Sequence, residues 1–562
     1  MSYNYKRFFA DPHDRPGGNK FGYPVPGRQA ASGEPDWDKL ANGKHDYIVI
    51  GTGPTAVAFV EQVLSRSPHA KILMLERGGF WLPVHYQMLP LAFQAATGSP
   101  PTTYPWSRTT AMATTGMKFF QAGYIPVVRG RSTYWSAWCP APDPTLMRDW
   151  PQALVDVTLE DGFWERAREF LHVTSMDQIN DGVYGKLQQQ LGENLRENYR
   201  RQVPSAQHAY PAPIAVGKPD WQGVKFYKYS TVGALFALQQ KQQSLAALRH
   251  GAPLHIADNC VVSRMVHDDH GSVIALETSR GVVAVGKAKI ILAMGTIPPA
   301  TLLMNSFGER LPNAGKRYTG HFMSHVTARV KRDAFTDLAV LEIGALYLDG
   351  KDAAGFQYHV QASAFAASDP VGDAGTIAHE APDAAAVASP AQLADSQEHV
   401  VIVCATLGEV NESNASNRIW RNGGSDPTTN ISLQLQPGPQ DMALWDVLDE
   451  ATYQTIGAMV GSDANIEYWT DADGGAWRTE PAPRKEIRLN IIVHEASALW
   501  INDDPATSVV GLDYRRHGVD NVYVTGGALF PTSGSWNPTL TMCALAQDLA
   551  RRLQPQLAAA VS

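Results

Sequence analysis

The apolar positions of the chain fall in short runs separated by glycine and proline, not in long continuous stripes. The pattern sharpens at Asp46. Residues 46–54 (DYIVIGTGP) form an apolar run that ends in glycines, 55–67 (TAVAFVEQVLSRS) carry helical spacing, and 70–79 (AKILMLERGG) form a second apolar run. This predicts a β-α-β unit, with strands apolar on both sides because a parallel sheet is covered on both faces. The strand pattern resumes at 252–295, where DDHGS (268–272) reads as a hairpin turn. The run KIILAMG (289–295) precedes a helical stretch, PPATLLMNSFG.

The remaining pattern is less regular. Residues 1–45 are rich in Gly, Pro and charge and read as an extended N-terminal arm. Residues 85–130 read as loops with short helices, and 151–215 as largely helical and polar. Residues 365–397 are rich in Ala, Asp and Pro and read as a low-complexity, mobile excursion. Strands are expected at VVIVCATLGEV and NISLQLQ, a helix around 443–460, a strand at NVYVTGG and a closing helix at 538–553.

Composition narrows the class. The 562 residues suggest about three to four domain-sized units. Hydrophobic content of 44% with 18% charged residues suits a large packed core. A net charge of −8 with no Lys/Arg block argues against nucleic acid as the main partner. There is no apolar leader at the N-terminus and no apolar run of about 18 residues. The four cysteines are widely spaced without a CxxC pair. A cytoplasmic protein with reduced thiols is expected, with no membrane partner.

The first chemical signal is Gly51-Thr52-Gly53-Pro54-Thr55-Ala56, a G-x-G-x-x-A turn between the first strand and its helix. Gly51 permits the tight turn, Gly53 lets the backbone approach a pyrophosphate, and Ala56 allows close helix–strand packing. The phosphates would sit on the helix N-terminus. Glu76 ends the second strand, where an acid accepts ribose hydroxyls. The motif alone does not separate FAD from NAD.

The C-terminal segments do. His494-Glu-Ala-Ser-Ala-Leu-Trp500 and the stretch from Gly526 to Thr541 (GGALFPTSGSWNPTLT) resemble the closing signature of the glucose–methanol–choline (GMC) flavoprotein oxidoreductases, and most closely the branch of pyranose oxidases and bacterial C-glycoside 3-oxidases. The resemblance implies a Rossmann-type FAD-binding domain of GMC type in an α/β chain (α+β overall). It also implies a discontinuous substrate domain built on an antiparallel sheet. The FAD part would comprise 46–150, 220–310 and 485–562, and the substrate part 151–219 and 311–484. The middle of the chain matches weakly. Ala496 and Trp500 depart from the usual glycine and methionine after the histidine, which reshapes a wall near the flavin without removing a base.

The same resemblance implies site residues. His494 looks like the family base, and Asn537 fills the second catalytic position. Histidine titrates near neutrality, which suits proton abstraction from a hydroxyl, and an amide can donate to the developing alkoxide. The stretch Val128–Ser136 (VRGRSTYWS, with Ser132-Thr133-Tyr134-Trp135-Ser136 at its end) resembles a pyranose oxidase loop whose histidine bonds covalently to flavin in fungal relatives. Tyr134 stands in that place, so non-covalent FAD is expected. Arg129 and Arg131 are expected near the pyrophosphate or the N1–C2=O edge. Further cofactor contacts are implied at Gly51, Gly53, Pro54, Thr55, Ala56, Glu76, Arg77, Val261, Val262, Gly295, Gly527, Ala528, Pro538 and Thr539. His321 and His325 in HFMSHV have the i, i+4 spacing of helical metal ligands but lack a third ligand, so no metal is expected. Cys139 is expected to be a buried structural thiol.

The expected activity is FAD-dependent oxidation of a secondary alcohol of a sugar or glycoside, with oxygen or a quinone as acceptor. The alternatives are a dehydrogenase of a non-sugar alcohol and a redox-silent member like the hydroxynitrile lyases of the wider family.

Overall fold

The computed structural model describes residues 37–80, 84–89, 112–119, 130–220, 223–383, 387–461, 465–471 and 474–554. Arg129 and most of the expected arm and of the 85–130 loops lie outside these residues. The main elements, in chain order, are β1 (Tyr47–Ile50), α1 (Pro54–Arg66), β2 (Ile72–Leu75), α2 (Lys186–Gln202), β3 (Ala206–Pro211), α3 (Thr231–Ala247), β4 (Leu254–Ala257), β5 (Lys289–Leu292), α4 (Ile297–Phe307), β6 (Thr319–Lys331), β7 (Leu341–Lys351), β8 (Gln357–Ala367), β9 (His399–Glu409), α5 (Pro439–Val460), β10 (Glu467–Thr470), β11 (Ala476–Arg478), β12 (Arg488–Ala496), β13 (Val522–Val524) and α6 (Thr539–Leu553).

Two sheets organise the chain. A five-stranded sheet runs β4-β2-β1-β5-β13, parallel throughout. This is the strand order of a doubly wound dinucleotide fold. All four residues of β1 and of β2 are buried, as expected of strands covered on both sides. Helix α1 starts at Pro54 in its first turn, with Gly53 as the residue before it, and buries Ala56 to Val60. Its Val63 carbonyl accepts from Gln554 Nε2, at the end of α6, at 2.8 Å.

The second sheet has nine strands, running β11-β10-β6-β9-β8-β7-β3, with β12 paired antiparallel to β6 and the short strand Lys118–Phe119 paired parallel to β12. One face is covered by helices. Phe322 of β6 packs on Trp445 of α5, Ser324 Oγ donates to Asp449 at 2.6 Å, and Thr406 of β9 bonds Thr452 at 2.7 Å. Gln188 of α2 accepts from the Ala345 N–H at 2.6 Å. Register decides the other face, because paired residues of neighbouring strands point to the same side. His321 pairs with Glu409, Met323 with Leu407, Leu407 with His359, and Ala405 with Gln361. His321, His359 and Gln361 therefore share the face away from α5.

The architecture is the expected mixture of a parallel Rossmann-type sheet and a largely antiparallel second sheet. Several local expectations are corrected. HFMSHV lies in strand β6, so His321 and His325 are not successive turns of a helix. Residues 206–215 belong to strands, not to the helical stretch read over 151–215. Residues 37–41 of the arm form a short helix, and Trp37 donates to the Arg280 carbonyl at 2.7 Å. The stretch 365–397 is no excursion where it is described. Its first residues close β8, Ile377, Ala381 and Leu393 are buried, and Ser389 and Gln392 cap a turn of helix reciprocally. Ala366, Ala367, Ala381 and Ala388 are buried there, where a small side chain lets neighbours pack tightly.

Candidate functional site

The turn after β1 shows two different uses of glycine. Gly51 has φ +101°, and a Cβ on it would sit 2.6 Å from the Ala293 carbonyl oxygen, just past the end of β5. Gly53 has ordinary backbone angles, and a Cβ there would meet nothing within 4 Å. Gly130, from the loop that ends at Ser136, comes to this spot: its own Cβ would meet only the Gly53 Cα, at 3.8 Å. Gly295 is likewise open, at φ +82°. The open space beside Gly53 and Gly130 makes a glycine-walled hollow against the N-terminus of α1, where the partly buried Pro54 and the buried Thr55 and Ala56 follow.

Glu76 is buried beside this turn. Its Oε2 accepts from the Thr52 N–H (3.1 Å) and hydroxyl (2.7 Å), and its Oε1 from the Gly78 N–H (2.8 Å). Burial pushes its pKa up, while these donors pull it back. Arg77 turns away to Asp426 and Thr428. Val262 begins the strand Val262–His267, and the Val261 N–H donates to Ser279 at 3.0 Å.

Four distant segments close around the hollow. Arg131 grips Glu495 with both guanidinium arms, one at 2.9 Å. Thr296, next to Gly295, donates its hydroxyl to the Glu495 carbonyl at 2.6 Å. The Ser497 N–H donates to Gly527 at 3.0 Å, and Gly526 packs on the Gly295 backbone. Ala528 is buried in the turn that follows. In the loop, Thr133 donates to the Gly130 carbonyl (2.9 Å), Trp135 donates to the Tyr229 carbonyl (2.8 Å), and buried Tyr134 lies near Tyr86. Ser136 is half-buried beside them. The guanidinium of Arg131 pairs with Glu495, the neighbour of His494.

His494 stands at a bulge. Two steps along β6, from Thr319 to His321, are matched by three along β12, from Ala496 to Val493. The extra residue puts His494 at φ +56°, a left-handed conformation that side chains rarely adopt. Its Nδ1 lies 2.9 Å from Nδ1 of His321. Burial, aided by His321, His359 and Arg131, holds its pKa well below the usual histidine range. His321 is fully buried, and its pKa is pushed down to about 4.

Asn537 immediately precedes Pro538 and Thr539 at the start of α6 and is buried. Its Oδ1 accepts from Gln361 Nε2 at 2.8 Å. The same amide nitrogen donates to His359 Nε2 at 3.1 Å, and His359 stacks on Tyr347. With Oδ1 taken, the Asn537 side chain has its NH₂ left to offer. Gln361, His359 and the contact role of His321 were not legible in the sequence. No pattern in the chain links β8 to the C-terminus, and only the shared sheet face joins them.

With this geometry in hand, comparison with known proteins gives three findings. Residues 417–546 match the family described as GMC oxidoreductase. That match holds both His494 and Asn537. The fold resembles pyridoxine 4-oxidase from Mesorbium loti, with a TM-score of 0.56 and 14% identity over 91% of this chain and 99% of that one. The chain is also 46% identical over 56 residues to 6'''-hydroxyparomomycin C oxidase from Streptomyces lividus, a stretch covering 10% of each protein. No helix among the described residues is long and apolar enough to cross a membrane. No group of three or more His, Cys, Asp or Glu side chains among them is arranged to hold a metal ion.

Proposed function

We propose that the chain is an FAD-dependent oxidoreductase that oxidises a secondary alcohol of a sugar or glycoside. The observation that carries this reading is that Glu495, Arg131, Thr296 and Gly527 tie the His494 strand to the glycine-walled hollow, while Gln361 and His359 link Asn537 to the surroundings of His494. The open Cβ positions of Gly53 and Gly295 and the free end of α1 fit a dinucleotide pyrophosphate. Gly51, Pro54, Thr55, Ala56 and Glu76 would hold its ADP half, with Arg77, Val261 and Val262 flanking. The loop Thr133–Ser136, with Gly527, Ala528, Pro538 and Thr539, would hold the flavin side without a covalent bond. The parallel-sheet segments within 46–150, 220–310 and 485–562 would make the FAD part, and the large sheet the substrate part. Bound FAD would accept the hydride of the carbinol and pass the electrons to oxygen or a quinone.

The chain's own residues would do the rest. His494, neutral at pH 7 because burial disfavours its charge, takes the hydroxyl proton. Asn537 donates its NH₂ to the oxygen as negative charge develops, and Gln361 keeps that amide from flipping. The match to an oxidase named for a hydroxylated paromomycin supports a glycoside as donor. The fold likeness to pyridoxine 4-oxidase supports a second reading, in which the donor is a non-sugar alcohol.

Anaerobic mixing of the yellow protein with free sugars, O-glycosides, C-glycosides and apolar alcohols separates these readings. Bleaching by a sugar or glycoside is expected. A protein without flavin, or a flavin bleached by none of them, overturns the proposal. Acid precipitation is expected to release the flavin into the supernatant, and a yellow pellet refutes non-covalent binding.

A further inference from the structure

The contact between His494 and His321 joins two nitrogens of the same kind, Nδ1 to Nδ1, at 2.9 Å with the rings at 79°. Two lone pairs cannot face each other at that distance, so one nitrogen carries the hydrogen and the other accepts it. Two arrangements satisfy this. If His321 donates, neutral His494 carries its hydrogen on Nε2 and has no lone pair there. If His494 donates, its Nε2 is bare.

The proton step asked of His494 chooses between them: a base needs a bare nitrogen, and Nε2 is the one not committed to His321. The His321 ring is fully buried on β6, and its Nδ1 is committed to His494. The Ser533 and Gly534 carbonyls act on the ring and raise its affinity for a proton. Its remaining nitrogen, Nε2, is enclosed with no hydrogen bond of ordinary geometry. A bare Nε2 on His494 puts its hydrogen on Nδ1, which donates to His321 Nδ1. Neutral His321 is then the Nε2–H tautomer, and its Nδ1 is an acceptor.

We propose that His321 is the positioning residue that fixes the tautomer of His494, accepting its Nδ1–H and leaving Nε2 bare toward the substrate hydroxyl. This rests on the reading of His494 as the base. In the proton step, the substrate O–H bond breaks and an Nε2–H bond forms, so His494 becomes an imidazolium. Its Nδ1–H bond to His321 then becomes charge-assisted, which favours the protonated state only after the proton has arrived. The other groups that bear on the pair are His359 from β8, Arg131 from the loop, and Glu495, which neutralises Arg131. None of them touches His494 Nδ1, so His321 alone makes this choice among the described residues.

The direct test is ¹⁵N NMR of the full chain labelled at histidine, with His494 assigned by difference from His494→Gln. A pyrrole-type Nδ1 and a pyridine-type Nε2 are expected at neutral pH. The reverse pattern overturns the proposal whatever the activity. Two variants add a kinetic reading. His321→Leu removes the acceptor and is expected to slow flavin bleaching by about 10–10³-fold, with substrate affinity little changed, since a mis-set tautomer costs up to about 10⁴-fold in other bases. His321→Asn places Oδ1 where Nδ1 was and is expected to recover the rate to within about tenfold. A His321→Leu protein that bleaches at the parent rate, or an Asn variant no better than Leu, overturns the tautomer claim. His494→Ala separates the two failures. If it bleaches at the parent rate, the base assignment falls. If it is inactive while His321→Leu is normal, only the role of His321 falls.

Discussion

Gly51 and Gly53 are two residues apart, yet alanine at each should fail for opposite reasons. At Gly51 the backbone sits at φ +101°, and the new Cβ would lie 2.6 Å from the Ala293 carbonyl oxygen. The left-handed angle costs about 1–3 kcal/mol. Moving β5 off the intruding methyl costs about another 1–3 kcal/mol. The sum, about 2–6 kcal/mol, is a large share of the roughly 5–15 kcal/mol that holds a domain folded. At Gly53 the angles are φ −68° and ψ −177°, and the Cβ meets nothing within 4 Å. Losing glycine before the first helical turn costs no more than about 1 kcal/mol. The damage at Gly53 is to whatever occupies the open space. The assay is thermal unfolding of the flavin-stripped protein, paired with flavin absorbance after desalting. Gly51→Ala should lower the melting temperature by on the order of 10 °C. Gly53→Ala should melt within a few degrees of the parent and hold FAD at least about tenfold more weakly, which is 1.4 kcal/mol. Equal melting losses, or full FAD retention by Gly53→Ala, would refute the assignment of this hollow to the pyrophosphate.

Three other outcomes are expected. Gln361→Leu leaves Asn537 Oδ1 and His359 Nε2 buried without their donor, at about 1–3 kcal/mol each, and frees the asparagine amide to flip. Its melting point should fall, and flavin bleaching should slow more than FAD binding weakens. Acid should weaken the histidine cluster around His494, against the opposite trend of Glu380 and Glu409, whose carboxyls burial pushes up to about 8 and which gain stability as pH falls. His321 is about 4 when folded against 6.5 unfolded, so its contribution is complete above pH 6.5 and declines as pH falls toward 4, by about 3 kcal/mol in all. His85, His359 and His494 are lowered too and add to the same decline; the gap in urea stability between the parent and His321→Leu should narrow from pH 7 to 5, which reads the His321 share alone. Finally, all four cysteines are buried with raised thiol pKa values, so a thiol reagent should label none in the native protein and all four in denaturant.

The β-α-β unit was readable because its signal is local. A strand covered on both faces, a turn that only glycine can make and the helix it opens are all specified within residues 46–79. His494 and Asn537 could be picked out for a similar reason, since their neighbours form a compact pattern at the C-terminus. Strand β6 was not readable. With its sheet covered on both sides, TGHFMSHVTARVK buries nearly every position and shows no period-two alternation, so helix and strand look alike. The Ala-rich stretch after residue 365 misled for a related reason, because composition does not tell close packing from disorder. Gln361 lies 176 positions from the asparagine it orients, and His321 lies 173 from the histidine it faces. Those partnerships depend on sheet register, where a shift of one residue would turn His321, His359 and Gln361 to the opposite face. The sequence by itself determined the β-α-β unit and singled out His494 and Asn537 as candidates. Tertiary structure alone decided which neutral amide and imidazole groups hold them in place.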